Sequence, residues 1–256
     1  MTLSLPHGEP PPRHLDRFRL ARLLGAGGSC VVYAAHDRAL RRSVAVKLPR
    51  DDVWPLPWIR RARLLREAQA LARIRHPHVV TLLDAVVEDD LACLVLAPIA
   101  GASLSGRLLS PRRVTALGLQ VAAALAACHA AHLVHRDVSP SNILVDRHDR
   151  ATLIDFGLAH DLVPRPGDDR DDFLGLPLSP AGRPAGTRPY AAPELLRGAP
   201  AGPTADQYGL CATLRACLAD RGPPALLRVI HRGLSEPPEE RFPDMHALTL
   251  ALRALA

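Results

Sequence analysis

Residues 135–142 read HRDVSPSN, and residues 155–157, one predicted hairpin further on, read DFG. The hairpin is indicated by two apolar runs, ILV and ATLI, that flank a polar turn. Such a hairpin would bring the carboxylates of Asp137 and Asp155 close to the amide oxygen of Asn142. Because hard cations prefer oxygen ligands, this stretch predicts a site that binds Mg²⁺ together with a phosphate.

The order and spacing of these residues resemble the protein kinase family. The family implies an α+β fold of two lobes, in which a β-rich N-terminal lobe with one main helix precedes a mostly helical C-terminal lobe. The resemblance makes Asp137 the catalytic base toward the substrate hydroxyl, and it makes Asn142 and Asp155 the ligands of Mg²⁺. ATP would bind in the cleft and supply the transferred phosphoryl group.

A glycine-rich stretch at residues 24–33, LGAGGSCVVY, resembles the loop with which kinases hold the phosphates of ATP. Glycines let the backbone approach a phosphate without interference from a Cβ atom. The resemblance gives this role to Gly25 and Gly27. Cys30 stands in place of the family's third glycine, and we expect it to stiffen the loop and to bring a thiol close to ATP.

Lys47 follows three apolar residues, at the distance from the glycine-rich stretch that the family implies. The resemblance makes it the group that binds the α- and β-phosphates of ATP. The resemblance implies that a glutamate on the first helix pairs with this lysine. Glu67 lies at that place, and it is the one acidic residue between Val53 and Val80. We therefore expect an ion pair between Lys47 and Glu67, and we count both as catalytic residues beside Asp137.

The resemblance also places an adenine site. Ala97 and Ile99 would form backbone hydrogen bonds with the base, directly after a gatekeeper residue, Leu96. Pro98 lies between them and removes no expected N–H donor. The adenine ring would be enclosed by three apolar side chains, those of Val32, Ala45 and Leu144.

Residues 186–194, GTRPYAAPE, resemble the end of a kinase activation segment. The family implies that Thr187 forms a hydrogen bond near Asp137, and a threonine here favours serine or threonine over tyrosine as the acceptor. It also implies an ion pair between Glu194 and Arg241 that is structural and not catalytic.

Two further roles follow from the resemblance. Asp206 would anchor the backbone of the catalytic loop from a central helix. Ser179 is the candidate for autophosphorylation, although the acidic run at 168–172 could engage Arg136 without phosphorylation.

The chain departs from the family's pattern in ways that bear on activity. Ser139 replaces a lysine that stabilises the γ-phosphate, and losing one positioned donor of this kind can cost ~3 kcal/mol in the transition state. Arg188 is a candidate to compensate. The segment at 220–225 is short, so the C-terminal lobe lacks a full-length segment after its central helix. A partner protein could cover apolar surface that the shortening exposes.

Composition adds limits on partners and compartment. The chain has 256 residues and a formal net charge of +6. Because it has no dense block of Lys and Arg, we expect its basic residues to lie on solvated helix faces, and we expect no nucleic-acid partner. The five cysteines form no C-x-x-C pair, which favours a reduced cytoplasmic compartment. No uninterrupted apolar stretch reaches the ~20 residues that span a membrane. The Pro-rich residues 1–13 are not typical of a signal peptide.

The pattern of apolar residues predicts the other elements. Strands are expected at 19–24, 31–35, 43–48, 79–83 and 92–96, and helices at 58–74, 110–132, 205–219, 225–234 and 245–255. Residues 1–16 are expected to form a flexible tail and residues 17–256 the kinase domain, with an N-terminal lobe at about 17–97 and a C-terminal lobe at about 100–256.

The expected function is ATP-dependent phosphorylation of serine or threonine in protein substrates, as in bacterial eukaryotic-like kinases. One alternative is a nucleotide-binding pseudokinase that acts as a scaffold or allosteric partner, which Ser139 and Cys30 favour. A second alternative is a phosphotransferase of the same fold that acts on small molecules, in which a peptide-docking segment such as residues 186–194 would have no role.

Overall fold

The computed structural model describes residues 15–50, 56–88, 91–162, 187–200 and 202–255. The chain divides into two compact units. The first comprises the chain up to Ala72 together with Thr81–Ile99, and the second comprises Arg73–Val80 and the chain from Ala100 onward. Strands dominate the first unit and helices the second, which is the α+β organisation that the sequence predicted.

The first unit is built on a five-stranded antiparallel sheet in the order β1-β2-β3-β5-β4. Its strands are β1 (Phe18–Ala26), β2 (Cys30–Asp37), β3 (Arg42–Pro49), β4 (Leu82–Glu88) and β5 (Leu91–Leu96). Alternate residues of β2 are buried, so one face of the sheet lies on an apolar core. Leu15 belongs to this core, although residues 1–16 were expected to form a flexible tail.

One helix, α1 (Pro57–Ala72), packs against β4 and β5. Leu64, Ala68 and Leu71 are buried and recur three or four positions apart, which is the spacing of one helix face. Glu67 is buried beside them. The predicted helix at 58–74 is therefore confirmed, with ends that differ by one or two residues.

Two small sheets open the second unit. One has the order β6-β8-β9, with β6 (Gly101–Ser103), β8 (Ile143–Asp146) and β9 (Ala151–Leu153), and the other pairs β7 (Leu133–Val134) with β10 (His160–Asp161). The turn between β8 and β9 is closed by Asp146, whose Oδ1 accepts from the backbone N–H groups of Arg150 and His148. These hydrogen bonds lower the pKa of Asp146. The hairpin that the sequence predicted here is confirmed.

Five helices complete the second unit: α2 (Pro111–Ala130), α3 (Pro193–Leu196), α4 (Pro203–Leu218), α5 (Pro224–Gly233) and α6 (Met245–Arg253). The predicted start of α2 is confirmed, because the Ser110 side chain caps it by accepting from the N–H of Arg113. Helix α2 packs against α4 and α6. Gly118 allows this close packing, since a Cβ atom there would lie 3.0 Å from Leu214 of α4.

Helix α2 also has the length and the apolar composition of a membrane-spanning helix, and it alone does so in the described part of the chain. Its residues Val121, Leu125 and Cys128 have almost no exposed surface. A core helix packed between α4 and α6 gives the same signal, which is therefore weak.

The strand predicted at 79–83 begins three residues too early, because β4 starts at Leu82. Val79 forms an isolated parallel bridge with Leu153, and Val80 donates its N–H to the carbonyl of Leu153 at 3.0 Å. These contacts place both residues in the second unit, whereas β4 begins at Leu82. An apolar run with β-branched residues satisfies either arrangement, and only the distant pairing partner decides between them.

None of the five cysteines, all of which lie in the described ranges, forms a disulfide. Burial raises the pKa of the Cys211 thiol to about 12, and it also raises the pKa values of Cys128 and Cys217. Buried, protonated thiols of this kind are inert and contribute to packing.

Candidate active site

Lys47 and Glu67 form a buried ion pair in the first unit. The Nζ atom of Lys47 donates to both carboxylate oxygens of Glu67, at 2.6 and 2.7 Å. The two residues are only 5% and 3% exposed. Strand β3 supplies the lysine and α1 the glutamate, so the structure shows the pair that the sequence predicted.

Lys47 shares one face of the sheet with side chains predicted to enclose an adenine ring. Val32 lies directly opposite Lys47 in the β2–β3 ladder, and Ala45 lies two residues before Lys47 on the same strand. Ala45 pairs in turn with Leu96, the predicted gatekeeper. The first unit thus carries an apolar strip that ends at a buried ammonium group.

The glycine-rich turn between β1 and β2 is open on its outer side. The N–H of Gly27 donates to the carbonyl of Cys30 at 2.8 Å and closes the turn. Gly25 and Gly27 do not adopt positive φ, and a Cβ atom at Gly25 would meet nothing within 4 Å. The first unit itself does not require glycine here, which favours a ligand that approaches the backbone closely.

The predicted adenine contacts lie at the end of β5. The N–H of Ala97 donates to the carbonyl of Thr81 at 2.9 Å, so only the Ala97 carbonyl is available to a base. At Ile99, no other described residue hydrogen-bonds to the N–H. Leu144, the third predicted ring contact, is half-buried in β8 of the second unit.

The carboxylate of Asp137 is held at both oxygens. Oδ1 accepts from the backbone N–H of Thr187 at 2.8 Å, and Oδ2 accepts from the side-chain amide of Asn142 at 2.8 Å. The N–H of Asp137 donates to Nδ1 of His135 at 3.3 Å. The predicted hydrogen bond of Thr187 near Asp137 is confirmed, and its donor is the backbone.

The hairpin links the loop that carries Asn142 to the start of the DFG stretch. The N–H of Ile154 donates to the Asn142 carbonyl at 2.9 Å, which ties the residue before Asp155 to the loop. Both amide hydrogens of Asn142 are engaged with Asp137, one with its carbonyl and one with its Oδ2. The amide oxygen of Asn142 therefore accepts no hydrogen bond from the described residues and is available to a cation.

This oxygen pair fits Mg²⁺ and does not form a complete cage. In the described part of the chain, no three His, Cys, Asp or Glu side chains cluster to hold a metal. Mg²⁺ characteristically takes one or two protein oxygens and completes its shell with water and substrate phosphates. Asn142 and Asp155 match that demand.

Asp206 anchors the catalytic loop, as the sequence predicted. Its Oδ2 accepts from the N–H of His135 at 2.9 Å, and its Oδ1 accepts from the N–H of Arg136 at 2.8 Å. Sequence reasoning missed a third partner, His129 of α2, whose Nε2 lies 2.8 Å from Oδ2. No local signal marks His129, because the contact joins residues far apart in the chain.

Ser139 does not face solvent. It is completely buried, and its hydroxyl lies 2.8 Å from that of Ser141. A buried hydroxyl carries no charge and cannot replace the lysine ammonium group that the resemblance implies at this position. The predicted pair of Glu194 with Arg241 is confirmed and also lies in the second unit.

The predicted flexible tail lies outside the described residues up to residue 14, and three further sequence predictions lie outside them as well. These are the autophosphorylation candidate Ser179, the acidic run at 168–172, and Gly186 at the start of the GTRPYAAPE stretch.

Comparisons with known proteins agree with this geometry. The family profile described as "Protein kinase domain" matches residues 18–226. Serine/threonine-protein kinase PknD of Mycobacterium tuberculosis is 35% identical over 269 residues, which cover 91% of this chain and 39% of PknD. For PknE of the same species the identity is 33%, over 93% of this chain and 46% of PknE.

A relative from a different genus is similar to the same extent. The probable serine/threonine-protein kinase SCO3848 of Streptomyces coelicolor is 31% identical over 94% of this chain and 37% of its own length. This chain therefore spans less than half the length of the curated relatives that it matches.

Proposed function

The chain belongs to the protein kinase family, and we propose that it uses ATP to phosphorylate serine or threonine residues of protein substrates. Relatives named as serine/threonine-protein kinases match more than nine-tenths of it, which supports this proposal. Because those relatives are much longer, their activities come to this chain only as part of the proposal.

The observation that carries the proposal is the orientation of Asp137. Thr187 and Asn142 fix its two carboxylate oxygens from different parts of the fold. A carboxylate held in this way can accept or orient the proton of an acceptor hydroxyl as that hydroxyl attacks phosphorus. Asp206 supports it by holding the two residues that precede it.

Lys47 supports the proposal in a second way, because it is the single lysine among the 32 Lys and Arg residues of the chain. Every other cationic position of that kind is arginine. Lysine is a compact point charge, whereas the guanidinium of arginine is planar and wider. The one lysine of the chain therefore stands at the position where an ammonium group is buried against Glu67.

ATP and Mg²⁺ fit the residues present. Mg²⁺ neutralises the phosphate charge that develops during transfer and bridges the phosphate oxygens. Asn142 and Asp155 would hold the metal, and Lys47 would hold the α- and β-phosphates. Gly25 and Gly27 would cradle the phosphates. The adenine ring would be enclosed by the side chains of Val32, Ala45 and Leu144, and it would form hydrogen bonds with the backbone of Ala97 and Ile99. With little covalent work to do, these residues act by positioning and by charge neutralisation.

The proposed compartment is the cytoplasm, where ATP is abundant and thiols stay reduced. A partner protein at the shortened C-terminal lobe receives less support. The connection between α4 and α5 is fully described, and it carries none of the large exposed apolar side chains found elsewhere in the described residues.

The pseudokinase alternative is also not supported. The relatives are named as kinases, and Lys47, Glu67, Asp137, Asn142 and Asp155 are all present. The departures at Ser139 and Cys30 predict a slower enzyme, with an oriented base and a paired lysine still in place.

The test separates nucleotide binding from catalysis. An acyl-phosphate derivative of ATP should acylate Lys47, the one ε-amino group in the chain, and excess ATP should suppress the reaction. With labelled ATP and Mg²⁺, the protein should label serine or threonine of a generic basic protein. Asp137→Ala should keep the acylation and lose the transfer. Acylation without transfer in the wild type would favour the pseudokinase, and absence of both would contradict the proposal.

A further inference from the structure

The two oxygens of Asp137 face different neighbours. Oδ2 is bound by Asn142, which is also the proposed metal ligand, and Oδ1 is bound by the N–H of Thr187. We therefore expect the metal ion and the nucleotide to lie nearer to Oδ2 of Asp137 than to Oδ1. The residues that follow Thr187 lie on the other side, where the acceptor hydroxyl of a substrate has to approach.

Arg188 is the next residue along the chain from Thr187. It opens a single 3-10 turn, Arg188–Tyr190, which is closed by a 2.8 Å hydrogen bond from the Tyr190 N–H to the Thr187 carbonyl. Pro189 restricts its backbone further. The position of Arg188 relative to Asp137 is consequently fixed by backbone hydrogen bonds.

Helix α4 packs closely against the same turn at Gly209. A Cβ atom at Gly209 would lie 2.8 Å from the carbonyl oxygen of Val138 and 3.5 Å from that of Tyr190. Gly209 is thus the point at which α4, the catalytic loop and the 188–190 turn come together. This packing keeps Arg188 beside the catalytic carboxylate.

The guanidinium of Arg188 is exposed, and no described residue forms a hydrogen bond or ion pair with it. Two other arginines of the second unit do pair with carboxylates, Arg113 with Asp149 and the exposed Arg197 with Glu236. A guanidinium binds carboxylates in a two-pronged geometry and provides specificity as well as affinity.

We propose that Arg188 is a specificity-determining residue, which selects protein substrates with Asp or Glu directly next to the phosphorylated serine or threonine. The proposal rests on the proposed function. Adjacent residues of a substrate are about 3.8 Å apart at Cα, so a neighbour of a hydroxyl bound at Asp137 lies within reach of the Arg188 side chain. An acidic neighbour would meet there a cation that no described residue neutralises, and a basic neighbour would be repelled.

The rival role for Arg188 is direct stabilisation of the transferred phosphoryl group, as a substitute for the cation missing at Ser139. Arg188 follows Thr187, which binds Oδ1 of Asp137, and it therefore lies away from the proposed metal ligand Asn142 at Oδ2. This position favours the role in substrate selection. The two roles differ in what they change, because a group that acts on the phosphoryl group affects every substrate equally.

The test uses peptide libraries with a fixed serine or threonine and one flanking position defined at a time. The wild type should phosphorylate Glu-containing peptides about tenfold faster than Ala-containing ones at one of the two adjacent positions, as a charge-assisted hydrogen bond allows. In Arg188→Gln the ratio should fall to about one, and in Arg188→Glu the preference should turn toward arginine. Arg253→Gln, a change at an exposed arginine of α6, should keep the wild-type ratio.

Three results would overturn the inference. A wild type that labels peptides without an acidic preference would refute it and leave the proposed kinase function intact. An equal loss of rate on all peptides in Arg188→Gln and Arg188→Glu would assign Arg188 to the phosphoryl group. A wild type that labels neither peptides nor proteins would refute the kinase function and this inference with it.

Discussion

Arg241 is buried, and the N–H groups of its two terminal nitrogens donate hydrogen bonds to the two carboxylate oxygens of Glu194, at 2.7 and 2.8 Å. Its remaining N–H groups donate to the backbone carbonyls of Ser235, Thr204 and Glu236. All five donors of the guanidinium are therefore engaged. This network ties α3 to the start of α4 and to the segment that precedes α6.

Removing the charge of Glu194 should destabilise the protein strongly. In Glu194→Gln, Arg241 keeps a buried positive charge without a counter-ion, and we expect a loss of about 3–5 kcal/mol. The control is Glu236→Gln, which breaks a pair with Arg197 in which both side chains are more than 60% exposed. That change should cost about 0–1 kcal/mol. Chemical denaturation measures both, and equal losses would contradict this assignment.

Lys47→Arg should abolish most of the activity even though it preserves charge. The planar guanidinium does not fit the buried position in which Nζ contacts both oxygens of Glu67. We expect phosphoryl transfer to fall by about 10²-fold or more. The matched change Arg253→Lys, at an exposed site in α6, should leave the rate as in the wild type. A fully active Lys47→Arg would show that the ammonium group is not required.

Gly209→Ala should impair catalysis through the backbone. The new Cβ atom would lie 2.8 Å from the carbonyl oxygen of Val138, the residue after Asp137, and only a shift of the catalytic loop can relieve that contact. A displacement of about 1 Å can cost 10²-fold in rate. Gly202→Ala, where the added atom meets nothing within 4 Å, is the control. Equal kcat values for the two variants would show that the loop tolerates the contact.

Asp37 should make stability depend on pH in the acid range. Its hydrogen bonds from Arg17 lower its pKa to about 2 from an ordinary value of 3.8. The unfolded chain binds the proton more readily, so this stabilisation is complete above about pH 4 and is lost as the pH falls toward 2. Denaturation midpoints across that range should decline less steeply in Asp37→Asn. A decline in Asp37→Asn as steep as that of the wild type would contradict this role of Asp37.

The sequence was sufficient for the parts of the site that short segments encode. The hairpin between the HRDVSPSN and DFG stretches was predicted from two apolar runs around a polar turn, and it is confirmed as the β8–β9 pair. The convergence of Asn142 and Asp155 on a metal ion stays a prediction. Lys47 and Glu67 were paired because the resemblance places a glutamate on the first helix and because Glu67 is the one acidic residue between Val53 and Val80. The Ser110 cap of α2 followed from residue type at a helix start.

Contacts between distant segments were predicted only where the family resemblance supplied them, as for Glu194 with Arg241; the others were missed. The run at 79–83 has the composition of a strand, but Val79 and Val80 bond to Leu153 of the second unit, and β4 starts later. His129 reaches Asp206 only because α2 packs against α4. Strands β7 and β10 are two residues long and have no periodicity to detect.

The most direct test of the central claim is the initial rate of γ-phosphoryl transfer from ATP and Mg²⁺ to a protein substrate in Asp137→Asn. Asparagine preserves size but cannot accept the hydroxyl proton, so the rate should fall by about 10²–10⁴-fold. Asp149→Asn, which alters an exposed carboxylate on the β8–β9 turn, should keep the wild-type rate. A rate in Asp137→Asn equal to that of the wild type would contradict the assignment of Asp137 as the catalytic base.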